Sequence, residues 1–120
     1  MAKYQIDAML DAALSYISTN ATELYVCSSQ PTDRATAIST GLTGAAIPSF
    51  TGPVNGDTSG RKLTVDQEAD IAITSTGTAT HIALCSGTLL LYVTTSTSQA
   101  LTSGGTVTVP AWDIEIADAV

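Results

Sequence analysis

Charge is scarce in this chain. Asp, Glu, Lys and Arg make up 12% of its 120 residues, about half of the roughly 25% usual in globular domains. Positive charge is scarcest: Lys3, Arg34, Arg61 and Lys62 are the four basic residues, and the net charge is −7. Nucleic-acid binding draws on a basic stripe that displaces counterions, and none exists, so DNA and RNA are excluded as partners. Attraction to an anionic membrane surface is disfavoured for the same reason. No stretch approaches the roughly 18 apolar residues of a transmembrane helix. Lys3 is followed by no apolar signal-peptide core, because Asp7 and Asp11 interrupt it, so no secretory signal is expected. Aromatics are 5% against 44% hydrophobic residues, so the core has to be built from small and branched aliphatics. The two cysteines, Cys27 and Cys85, sit far apart in apolar runs (LYVC and IALC). They read as buried reduced thiols, since two cysteines do not make a disulfide framework.

What the chain does hold is a β-rich second half. Between Ile71 and Pro110 there is no Asp, Glu, Lys or Arg, and one histidine, His81. Runs of Thr, Val, Ile and Leu alternate with Ser/Gly turns. Over Lys62–Thr74 the odd positions Leu63, Val65, Ala69, Ile71 and Ile73 are apolar and the even ones mostly polar. This spacing predicts a half-buried strand, bent near Gln67. Further strands are expected over Thr78–Cys85, Thr88–Thr95, Thr106–Val109 and Trp112–Ile116. Leu89–Val93 is apolar on both faces and reads as central. There is no short sequence repeat.

The first half differs. Ile6, Met9, Leu10, Ala13, Leu14 and Ile17 recur at helical spacing and predict an N-terminal helix over 5–18, covering one face of the sheet. Glu23–Ser29 reads as a first strand, ended by Gln30-Pro31. Residues 34–59 are rich in Gly, Pro, Thr and Ser, and read as a long ordered loop or arm, lying either on a neighbouring subunit or on its own domain. The expected fold is one domain of mainly β class. It is an antiparallel β-sandwich or barrel with one N-terminal α-helix, a long loop at 34–59 and a β module over 60–116.

Little in the sequence promises chemistry. Asp66, Glu68 and Asp70 would project from one strand face about 6–7 Å apart, too far for tight chelation by neighbours, so they read as a solvated acidic face. Asp113, Glu115 and Asp118 read the same way. His81 is in phase with Cys85 but roughly 13 Å from it along a strand; it reads as a structural histidine, and only the fold could bring Cys27 to it. No phosphate loop, GxSxG or HExxH is present. No catalytic residue, metal ligand or cofactor site is assigned, and no enzymatic activity is expected. Trp112 and Tyr92 read most simply as core. The candidate interface residues are Pro48, Phe50 and Pro53 in the loop and the basic pair Arg61 and Lys62 after it.

The layout resembles small structural proteins of tailed bacteriophages. The resemblance is carried by DAMLDAALSYISTNATELYVCSSQPT, a Gly/Pro/Thr-rich loop, and DTSGRKLTV…TATHIALCSGTLLLYVTTSTSQALTSGGTVTV…WDIEI. Some such small β-rich proteins are capsid decoration, or cement, proteins. The resemblance implies a non-catalytic protein made in the host cytoplasm and held on the capsid surface of the virion. Its partner would be the major capsid protein lattice, and it would be a homo-oligomer, a trimer by preference. A phage tail protein, or a β module binding a receptor or glycan, is the alternative. That alternative predicts an exposed aromatic platform. An enzyme would need His81 beside Cys27 or a carboxylate in a pocket.

Overall fold

The computed structural model describes residues 6–57 and 60–116. Ten elements follow in chain order: α1 (Asp7–Asn20), β1 (Glu23–Cys27), α2 (Arg34–Thr40), β2 (Phe50–Asn55), β3 (Arg61–Val65), β4 (Glu68–Ala72), β5 (Gly77–Cys85), β6 (Leu90–Leu101), β7 (Thr106–Val109) and β8 (Trp112–Ile116). The class is mainly β. The strands form three antiparallel sheets, ordered β1-β5-β6, β2-β3-β8 and β4-β7.

The sheet β1-β5-β6 is the middle layer of a sandwich-like arrangement. Side chains of a strand alternate between its two faces. On one face Leu24, Val26, Ile82 and Leu84 join Leu63, Val65, Ile114 and Val109 of the other two sheets in the main core. On the opposite face Tyr25, Cys27, Ala83 and Cys85 pack with Ala37 of α2. The apolar side chains of both faces of β1 and β5 are therefore covered, which explains the near-continuous apolar runs LYVC and IALC.

Helix α1 packs on β3 and β2. Leu10 and Leu14 are buried and Ile17 is half-buried against the core. The predicted stripe docks only in part: Ile6 is 52% and Met9 65% exposed, and Ala13 is exposed too. Helical geometry gives the reason. Leu10, Leu14 and Ile17 fall within about 60° of one another, whereas Ala13, Met9 and Tyr16 continue the apolar surface for roughly another 100° around the helix, past the reach of the sheet. The helix spans Asp7–Asn20, and residue 5 of the predicted span lies outside the described residues.

The segment 34–59, expected as one long loop or arm, contains both α2 and β2 and packs on its own chain; residues 58 and 59 lie outside the described residues. Asp33 caps α2, its Oδ1 accepting from Thr36 N at 2.7 Å. Residues 41–46 then run antiparallel along the free edge of β1, bridging Cys27 with Gly41 and Leu24 with Ala46. Leu24 N donates to Ala46 O at 2.8 Å and Leu42 N to Val26 O at 2.7 Å. The buried side chain of Leu42 reaches Gly77, where an added Cβ would lie 2.9 Å from Leu42 Cδ2, so a side chain at the start of β5 would have to displace Leu42. β2 pairs with β3 through a bulge between Thr51 and Val54 that contains a cis Gly52–Pro53 peptide.

The strand predicted over Lys62–Thr74 is two strands. Asp66 and Gln67 break it, and β4 pairs with β7 in a separate sheet. Asp66 N donates to Ser49 O at 2.9 Å, and Asp70 takes φ 57°, a left-handed conformation that aspartate tolerates. β6 runs six residues past its predicted end at Thr95, to Leu101. No glycine or proline lies between Thr88 and Ser103 to stop it.

Candidate functional site

The five candidate interface residues are mostly engaged within the chain. Arg61 Nε donates to Asp11 Oδ1 at 2.8 Å and Nη2 to Asp11 Oδ2 at 3.3 Å. It also donates to Asn55 Oδ1 at 2.8 Å and Pro53 O at 3.3 Å, and lies 4.0 Å from Asp7 Oδ2. This fork ties α1 to the start of β3 and joins both to β2. The Asp11 carboxylate raises the Arg61 pKa above its ordinary value. Lys62 Nζ donates to Asp57 at 2.6 Å and Asp113 at 3.5 Å, and the bond to Asp57 raises its pKa. Pro48 is buried, Phe50 packs against the main core, and Pro53 is half-buried. The ion pairs of Arg61 and Lys62 fall inside this chain, and none of the five presents a free, exposed side chain.

The acidic residues of the split strand do not converge. Asp66 Oδ1 accepts from Thr51 Oγ1 at 2.8 Å, and Glu68 Oε1 accepts from Ser49 Oγ at 3.5 Å. Among the described residues no group of three His, Cys, Asp or Glu could hold a metal ion.

Register brings one reactive pair together that sequence spacing alone left open. Cys27 lies directly opposite His81 in the β1–β5 ladder, so both project from the same face. The thiol is not activated. Its Sγ donates to Ala37 O at 3.6 Å, and burial raises its pKa. His81 Nδ1 instead contacts Thr80 Oγ1 at 2.8 Å. Burial also pushes the Cys85 thiol up to about 11. Both cysteines are free and fully buried; the register sets them four residues apart along the ladder, roughly 13 Å, beyond disulfide reach. Nucleophilic chemistry requires a thiolate, and this environment suppresses it. A half-buried ion pair lies on the same strand: Arg34 Nε and Nη2 both donate at 2.9 Å to the Glu23 carboxylate, which lowers the Glu23 pKa.

A cleft of about 380 Å³ lies between β6 and the β7–β8 connection. A bulge in β6 shapes it. Ala79 pairs with Gln99 and His81 with Thr95, so Ser96, Thr97 and Ser98 stand opposite Thr80 alone and the strand arches there. Val26, Ile82 and Leu101 of the main core lie at the back, and Val107, Val109 and Trp112 form one side. Trp112 stacks on Tyr92 with ring centroids 5.9 Å apart at 27°. Its Nε1 is buried with no hydrogen-bond partner among the described residues, at a cost of about 1–3 kcal/mol. The aromatic pair read as core packs against the main core, and its Trp112 also lines the cleft. Its signal in the sequence was the two rings; the cleft itself depends on the β6 bulge, which no residue type announces.

Among the described residues no helix is long and apolar enough to cross a membrane. No protein-family model, no curated protein and no solved structure matches this chain.

Proposed function

We propose that this chain is a non-catalytic virion structural protein of a tailed bacteriophage, which binds the assembled major capsid protein lattice on the head surface and stabilises it. Beyond the resemblance of its sequence pattern, the observation that carries this reading is the exposed face of α1. Ile6, Met9, Ala13 and Tyr16 lie at 3-4-3 spacing on one side of the helix, and the three larger ones are 52–65% exposed. A helix already held by Leu10, Leu14 and the Arg61–Asp11 fork thereby offers a second apolar stripe, of the kind that seats in a groove of a partner. Repetition over a lattice, in a homo-oligomer with a trimer favoured, raises apparent affinity without any stronger single contact.

The test is copy number on purified particles. Quantitative mass spectrometry should find hundreds of copies per virion, and Met9→Glu with Tyr16→Glu should fold normally yet be lost from the particle. Absence of the wild-type chain from particles, or presence in a few copies, removes the reading. The alternative, a tail or receptor-binding β module, draws on the placement of Trp112 in the cleft.

A further inference from the structure

The lining of the cleft beside β6 selects a ligand class. Val107, Val109 and Trp112 give it an apolar wall, and Thr94, Thr97 and Gln99 give it a hydroxyl and amide rim. Charge is nearly absent. No Lys or Arg lines it, and Asp113 is its one acidic residue. The Asp113 carboxylate already accepts from Thr64 Oγ1 at 2.8 Å and from Lys62 Nζ at 3.5 Å. An anion entering the cleft would meet no cation in a chain of net charge −7, and a cation would meet no free carboxylate. Both would lose hydration without a compensating partner. A wholly apolar ligand would strand the hydroxyls of the rim. The volume of about 380 Å³ falls at the lower end of the range for small-ligand sites. The matching ligand is small, uncharged, apolar on one face and rich in hydroxyls around its edge.

We propose that this cleft is a binding subsite for a neutral pyranose. The C–H face of the sugar ring packs on Trp112 and the two valines. Its ring hydroxyls exchange hydrogen bonds with Thr94, Thr97 and Gln99, each of which can both donate and accept. The proposal goes beyond attachment to a lattice and does not depend on where the chain sits in a particle.

Trp112 is the single tryptophan of the chain, so its fluorescence reports on the cleft alone. The purified full-length protein is titrated separately with maltose, lactose, cellobiose and N,N′-diacetylchitobiose, with galacturonate as the anionic control. At least one neutral disaccharide should give a saturable change with a Kd of about 1 mM, the weak-binding scale of a single small site. Gln99→Ala and Thr97→Val, both at exposed positions, should keep the wild-type circular dichroism and weaken that Kd by about tenfold, and galacturonate should bind at least as weakly as these variants. The proposal is overturned if no neutral disaccharide gives a saturable change up to about 20 mM. It is equally overturned if both variants bind as wild type does, or if galacturonate binds as well as the neutral sugars. Particle copy number is read in a separate assay, so failure here leaves the lattice reading to its own test.

Discussion

Replacing Leu14 with alanine should destabilise this protein by about 3–4 kcal/mol. Leu14 is fully buried where α1 meets the sheets and belongs to the main core. The substitution deletes three buried carbons, worth about 2.4 kcal/mol of transfer free energy. The neighbours on the sheet side belong to a paired ladder and cannot follow the shortened side chain, so a cavity term adds to this and brings the loss to about 3–4 kcal/mol. Alanine's better helix propensity returns only a few tenths. For a chain of this length the unfolding entropy is about 0.25 kcal/mol/K, so the melting temperature should fall by roughly 12–16 °C. Differential scanning calorimetry with parallel urea titrations measures both quantities. Two companions sharpen the outcome. Met9→Ala, at a 65% exposed position of the same helix, should stay within about 0.5 kcal/mol of wild type. Leu10→Asp places a charge at a 5% exposed position and should cost several kcal/mol. A loss below about 1 kcal/mol for Leu14→Ala, or equal losses at Leu14 and Met9, would refute the docking of α1 through this face.

The buried thiols make stability fall at alkaline pH. Cys85 ionises near its ordinary 9.0 in the unfolded chain but only at about 11 when folded. Between these values the unfolded state has released a proton that the folded state retains, so stability declines by up to about 1.4 kcal/mol per pH unit. Guanidinium titrations from about pH 8 to 11 should show this decline in wild type and a shallower one in Cys85→Ala; identical slopes would contradict it. Neither cysteine should react with Ellman's reagent until the protein is denatured. At the acid end, the bonds from Arg34 depress the Glu23 pKa, so their contribution is complete above the ordinary 4.5 and is lost as pH falls through the lowered folded value. Carbon-13 NMR should show the Glu23 carboxyl titrating below 4.5 in wild type and moving up in Arg34→Ala. An unmoved titration in that variant would count against the fork.

Patterning made the second half of the chain readable. β7 and β8 occupy the spans their alternation predicts, and β5 begins one residue early, at the glycine under Leu42. β7 and β8 have one face on the main core, so period two survives in their sequence. The segment 34–59 was opaque because its elements are held by contacts rather than by propensity. RATAIST has four β-branched or hydroxyl residues and forms α2 mainly because Asp33 caps it and Ala37 fits against Cys27 and Cys85. FTGPVN forms β2 around a bulge that contains both glycine and proline, the two residues that most often argue against a strand. The cleft was hidden for a related reason. Trp112 and Tyr92 are visible as rings, but the cleft that Trp112 lines depends on three residues of β6 arching opposite Thr80, a mismatch of strand lengths that only pairing reveals.

The strap of residues 41–46 along β1 has a consequence for biosynthesis. β1 leaves the ribosome before every other described strand, and its ladder partner β5 begins only at Gly77. At roughly 5–20 residues per second, the gap is about 3–10 s. During that interval the strap is the nearest available cover for the apolar LYVC run, and it closes a short loop at small entropic cost. It protects one edge and leaves the other open for β5. The nascent chain therefore carries a half-covered strand whose open edge sets the time in which a chaperone, or a neighbouring chain on the same polysome, can intervene.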